Sequence, residues 1–166
     1  MALESLWSTL EATGLSVAIR EVPFAFAAVE IVHVFALSIV FGSLLIVDLR
    51  LLGVASNNLK VSTLSHDLLG WTWGGFGIAA ISGVIMFMAR ANEYMINDQF
   101  LAKFAVMALA GINMMIFHFG VYRSVDRWDL GPPPAAAKTA GLLSLTFWVA
   151  IITLGRWIGY TIGLHF

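Results

Sequence analysis

Four blocks of almost unbroken apolar residues, at about 23–47, 69–89, 100–121 and 140–164, constrain this chain more than any other feature. Each is close to the ~20 residues that cross a bilayer as a helix. In lipid, a segment must satisfy its own backbone hydrogen bonds, which leaves helices or a closed barrel. With 60% hydrophobic and 11% charged residues, the chain has too little polar surface for a soluble domain of 166 residues. The expected fold is all-α: a single transmembrane domain over residues 1–166, built as a four-helix integral membrane bundle. No domain boundary, low-complexity tract or internal repeat interrupts it.

The connections set the expected topology. "ARANEYMINDQ" is short, which predicts a tight antiparallel pair of the second and third spans. "DRWDLGPPPAAAK" reads as a proline-rich loop before the fourth span, and Pro23 suits the opening turn of the first. The start, "MALESLWSTLEATGL", lacks the basic region of a signal peptide. Leu3, Leu6, Trp7 and Leu10 share one helical face and Glu4, Ser8 and Glu11 lie elsewhere. That pattern predicts an N-terminal amphipathic interfacial helix, or equally a helix packed on the bundle or on a neighbouring subunit. Four spans put both termini on one side, with Arg20, Arg90 and Lys103. Arg50, Lys60, Arg123, Arg127 and Lys138 lie on the other, the expected cytoplasmic side. The expected location is the bacterial inner membrane, with periplasmic termini.

The absence of cysteine excludes disulfides, thiolate catalysis and cysteine metal sites. The net charge of −1, without a basic run, argues against a nucleic-acid partner. What remains are polar groups inside the spans. Glu30 and His33 lie one turn apart in the first, and Arg156 is expected at a similar depth in the fourth. An unpaired charge at mid-bilayer costs roughly 2.5–3.5 kcal/mol on insertion scales, so Glu30 and Arg156 are expected to pair, either as a structural tie or as the border of a site containing His33. In the third span Met107, Gly111, Met114 and His118 form one helical stripe. His66 precedes the second span on the side where His118 leaves the third. Gly155, Gly159 and Gly163 form a small-residue ridge suited to close helix contact within the bundle or between subunits.

His33 and Gly42, the "DLR" at 48–50, Ser82-Gly83, Lys103 and His118 together resemble bacterial four-helix membrane proteins of the copper-resistance protein D family and the HemJ type of protoporphyrinogen oxidase. The stretch "GFGIAAISGVIMFMARANEYMINDQFLAKFAVMALAGINMMIFH" is more closely similar to a bacterial family described as a domain of unknown function. The HemJ-type resemblance implies haem b held by intramembrane side chains, with His33 matching the first-helix histidine and Lys103 the third-helix lysine. "DLR" stands where that family usually has "PR", which departs from the porphyrinogen oxidases. The copper-family resemblance implies metal handling, without a Met-rich or His-rich loop here to collect the metal.

The leading expectation is a haem b membrane protein in electron transfer or redox chemistry. In it His33 is an axial ligand, His118 the second-ligand candidate, and Glu30 and Arg156 fix the surroundings, with Arg156 also suited to a propionate. Two centres are the alternative, one at His33 and one at His118 with His66. Copper bound by His33, His118, His66 and Met114 is the second expectation, and a cofactor-free scaffold or proton-coupled carrier the third. The expected partners are the lipid bilayer, further copies of the chain in a homo-oligomer, and a redox partner or quinone. No nucleophile–base pair for hydrolysis is evident.

Overall fold

The computed structural model describes residues 2–162, with side chains from Ser5 onward. The described chain is all-helical: α1 (Ala2–Glu11), α2 (Gly14–Glu21), α3 (Ala25–Leu52), α4 (Val61–Ala89), α5 (Ala91–Met95), α6 (Asp98–Phe119), a 3₁₀ helix (Val121–Arg127) and α7 (Ala135–Thr161). The four long ones, α3, α4, α6 and α7, are each long and apolar enough to cross a membrane. Their middle residues face outward as Ile, Val, Leu and Phe, the surface a bilayer covers. The chain is a multi-pass membrane protein.

Local chemistry sets the helix ends. Thr13 accepts the N–H of Ser16 to cap α2. Asn97 accepts the N–H of Phe100 to cap α6, and its amide donates to the Thr161 hydroxyl at 2.8 Å, tying the start of α6 to the end of α7. Gly53 stops α3 with φ +76°, the left-handed geometry a helix end commonly takes. Pro23 lies outside the first span, because Phe24 takes a left-handed φ of 65° between α2 and α3. α3 and α4 exceed the expected spans by several residues at the end remote from the termini. At ~1.5 Å per residue their 28 and 29 residues reach ~42 Å, beyond the ~30 Å hydrocarbon core.

That far end carries the buried core. Leu51, Val61, Phe117, Val125, Trp128 and Ala137 form one apolar cluster beneath the 3₁₀ helix. Beside it Arg50, 1% exposed, donates from Nε to the Leu59 carbonyl at 2.9 Å and from Nη2 to the Asp129 carbonyl at 3.0 Å. Asp129 in turn takes the Ser62 N–H (2.8 Å) and hydroxyl (2.6 Å) on its carboxylate, capping α4 from outside the helix. The "DLR" and the proline-rich segment thus meet in one knot.

α3 is the central helix. It packs lengthwise against both α4 and α7, and α7 against α6. The expected tight pairing of the second and third spans does not form: α4 and α6 are not lengthwise neighbours, and they meet mainly where Phe87 stacks on Phe100. Loop length had suggested the pair, but small residues decided the packing. At Gly75 the backbone of α4 comes so close that a Cβ would lie 3.1 Å from the Ala36 carbonyl oxygen, and Ser43 and Thr72 share a 2.8 Å hydrogen bond nearby. At Gly141 a Cβ would lie 3.2 Å from the Asp48 carbonyl oxygen, bringing α7 onto α3. The amphipathic α1 sits at the terminal end of the bundle. Trp7 meets Phe87 edge-on, and the Glu11 carboxylate takes the backbone and side-chain N–H groups of Asn92 at 2.8 and 3.0 Å. α1 thus packs on the bundle through Trp7 and Glu11, while Leu6 on the same apolar face stays exposed.

Gly75→Ala should lower stability by about 1–3 kcal/mol, because a backbone oxygen must give way. Gly74→Ala, with open space at its Cβ, should be neutral or slightly stabilising. Thermal unfolding in mild detergent compares the two.

Partial burial pushes the Asp129 carboxyl up, but the Ser62 hydroxyl and N–H, with Lys60, outweigh it and hold the group below the ordinary 3.8. A depressed folded-state value stabilises the fold above the unfolded value, and that contribution is lost as pH falls through the folded one. Asp129→Asn should therefore be less stable than the parent at pH 7, by about 1 kcal/mol for a lost cap. The gap should close on acidification below about pH 4, which parallel pH–stability curves would follow.

Candidate functional site

One layer of polar side chains crosses the bundle near the terminal end. His33 lies eight residues into α3, Ser82 seven from the end of α4, Lys103 five into α6 and Gly155 six from the end of α7. At ~1.5 Å per residue these depths are all ~8–12 Å from the helix ends. Four helices therefore contribute to one cross-section.

His33 is the best defined member. Its Nδ1 lies 2.8 Å from the Ala79 carbonyl oxygen and 3.0 Å from Ser82 Oγ. A carbonyl can only accept, so Nδ1 carries the proton in this geometry. The Ser82 hydroxyl donates to the Ile78 carbonyl at 2.7 Å, which leaves its lone pairs to share that proton. In the neutral ring Nε2 then has the free lone pair, and it makes no hydrogen bond among the described residues. An imidazole anchored through Nδ1 to a carbonyl, with Nε2 open, has the form proteins use to orient a metal-ligating or proton-accepting histidine. Gly83 permits it, since a Cβ there would come 3.2 Å from the ring's Cε1.

Lys103 contributes to the same layer from α6. Its ammonium lies where a Cβ on Gly155 would approach to 3.4 Å, and it makes no hydrogen bond or ion pair among the described residues. Gly155 therefore faces inward, towards Lys103. Gly159 is exposed with open space around it, and Gly163 lies outside the described residues. Above the layer, Phe87, Tyr94, Phe100 and Phe104 form a run of aromatic contacts. Burial pushes the Tyr94 hydroxyl up to about 12, with Arg90 opposing and Glu30 and Glu93 adding to the rise, so it stays a neutral phenol across physiological pH.

The other expected site residues lie apart from this layer. No ion pair joins Glu30 and Arg156 among the described residues. Depth was judged correctly, but rotation about α7 was not: Arg156 is exposed, donates to the Tyr160 hydroxyl at 3.0 Å and lies 4.8 Å from that ring's centre. Glu30 is half-buried on the Tyr94 side of α3. His118 is twenty residues into α6, ~30 Å along, and cannot share a centre with His33. Its exposed ring contacts Tyr122, and its Nδ1 lies 3.2 Å from the Met114 carbonyl oxygen of its own helix. His66 falls inside α4 rather than before it; its side chain is 89% exposed, 3.5 Å from Asp67. Met114 faces outward. No group of three His, Asp or Glu suited to a metal ion occurs among the described residues. The partners of His33 on α4 were not foreseen, although Ser82-Gly83 marked the place.

Residues 20–161 match the family described as a family of unknown function, DUF6644, and the chain belongs to it. No curated protein and no solved structure matches the chain.

Because Glu30 and Arg156 are unpaired, the stability losses of Glu30→Gln and Arg156→Gln should add in the double variant within ~0.5 kcal/mol. Arg156→Gln and Tyr160→Phe should couple instead, by about 0.5–1 kcal/mol. Double-mutant cycles on thermal stability measure both.

Proposed function

We propose that this DUF6644 member is a membrane-embedded haem b-binding protein in electron transfer or redox chemistry, in which His33 would hold the iron. The observation that carries the reading is the anchoring of His33 Nδ1 to Ala79, which presents Nε2 as a lone pair inside an apolar bundle. The residues present fit the group. A neutral imidazole is a good haem ligand. α4 and α6 are not lengthwise neighbours, and Gly83 and Gly155 leave room for the His33 ring and the Lys103 ammonium. Haem iron supplies a reversible one-electron couple, which no side chain of this cysteine-free chain offers. Lys103, in the same layer as His33, is suited to an anionic substituent of the bound group or of a substrate such as a quinone, the role expected of Arg156. Likeness of His33 and Lys103 to the histidine and lysine of HemJ-type proteins supports the same assignment.

The same reading places the protein in a bacterial inner membrane with periplasmic termini, because Lys60, Arg123, Arg127 and Lys138 lie at the far end. The site then opens towards the periplasmic half. Copies of the chain would meet at the outward face of α7 around Gly159 and Trp157, where exposed small and aromatic residues permit close contact.

Full-length protein expressed with a haem supply and purified in mild detergent should show a Soret band, and an α-band on reduction. His33→Ala should remove the Soret band while the protein still inserts, and Lys103→Met should shift or weaken it. His118→Ala and His66→Ala should leave it intact. Apoprotein with no haem uptake, or an unchanged spectrum in His33→Ala, would overturn the reading.

A further inference from the structure

At the far end of the bundle, away from the His33 layer, Arg50 and Lys138 line a cavity of about 270 Å³. Its walls come from the last turn of α3, the first turn of α7 and the proline-rich segment around Gly131 and Pro133. Arg50 is fully buried, yet no carboxylate pairs with it among the described residues. Nε and Nη2 are spent on the carbonyls of Leu59, Asp129 and Gly131. Nη1, with two N–H donors, has no protein partner among the described residues. A buried guanidinium held only by carbonyl dipoles is incompletely neutralised, and such a charge is costly unless paired. The Lys138 ammonium also lacks an ion pair among the described residues. The Asp129 carboxylate is turned to α4 and held there by Ser62. No acidic residue lines the cavity.

We propose that this cavity is a binding site for a phosphate anion, with Arg50 Nη1 and the Lys138 ammonium as its donors. Arginine offers a planar pair of N–H groups and lysine a point charge, the combination that recognises phosphate oxygens. The place in the fold favours the head group of an anionic phospholipid. The cavity lies where α3 ends and α7 begins, at the level where the apolar helices leave the hydrocarbon, and Leu52 and Leu130 add apolar walls. Basic pockets between transmembrane helices bind head groups in this way. Free phosphate presents the same chemistry, and the test separates the two sources.

Native mass spectrometry of the full chain in neutral detergent, with phosphatidylglycerol and phosphatidylcholine added in equal amounts, reads the lipid source. Inorganic phosphate against sodium chloride at matched ionic strength, followed by Tm, reads the free anion. Phosphatidylglycerol adducts should dominate. Lys138→Gln should cut that preference about tenfold, as expected for losing one charge-assisted contact. Lys138→Arg should restore it, and Arg123→Gln, an exposed charge at the same end but outside the cavity, should leave it unchanged. A phosphate-specific rise in Tm that Lys138→Gln abolishes, without a lipid preference, assigns the site to free phosphate. Equal retention of both lipids with no phosphate effect would overturn the proposal, as would an equal loss of lipid preference in Arg123→Gln and Lys138→Gln.

Discussion

A guanidinium that is 1% exposed must place its donors on protein atoms, and Arg50 does so at the point where three chain segments converge. It holds the Leu59 carbonyl just before α4, and the Asp129 and Gly131 carbonyls before α7. These bonds fix where α4 and α7 begin relative to the end of α3. Asp129 extends the tie by capping α4 through Ser62, and the apolar cluster around Trp128 closes over it. In lipid, apolar helices gain little from hydrophobicity against one another. A polar knot outside the hydrocarbon, joined to glycine contacts within it, supplies the specificity that a buried apolar core gives a soluble bundle.

The polar layer near the opposite end depends on that arrangement. α3 is central because Gly75 and Gly141 admit α4 and α7 on either side of it. His33 then meets Ala79 and Ser82 from one side, while α7 carries α6 and Lys103 round towards it. The two ends differ chemically. The His33 layer offers a ligand nitrogen and a cation among aromatic rings, whereas the Arg50 cavity offers two cations at the membrane boundary. The two sites lie at opposite ends of the bundle and share no residues.

Much of the fold was legible in the sequence because membrane insertion is a one-dimensional criterion. Long apolar runs had to be helices, and their number and order followed directly. Glu30, His33 and Arg156 were correctly expected at one depth, since depth is a count of residues. Their pairing failed because it depends on rotation about the helix axis, where one residue turns a side chain by about 100°. Arg156 therefore points outward to Tyr160 while its neighbour Gly155 faces Lys103. His118 lies ~30 Å along α6, far from the His33 layer, a separation that residue type alone does not show.

By itself the sequence determined the class: an all-α multi-pass membrane chain, without thiol chemistry, carrying a glutamate, a histidine and an arginine where lipid makes each expensive. Those outcomes follow from composition and run length, which no packing can change. Tertiary structure alone decided which helices are neighbours, which nitrogen of His33 is free, and that Asp48 and Arg50 are buried at the end of α3. Each of these depends on backbones approaching at single glycines, and on carbonyls 46 to 81 residues away accepting one side chain's protons. No local pattern encodes such distances.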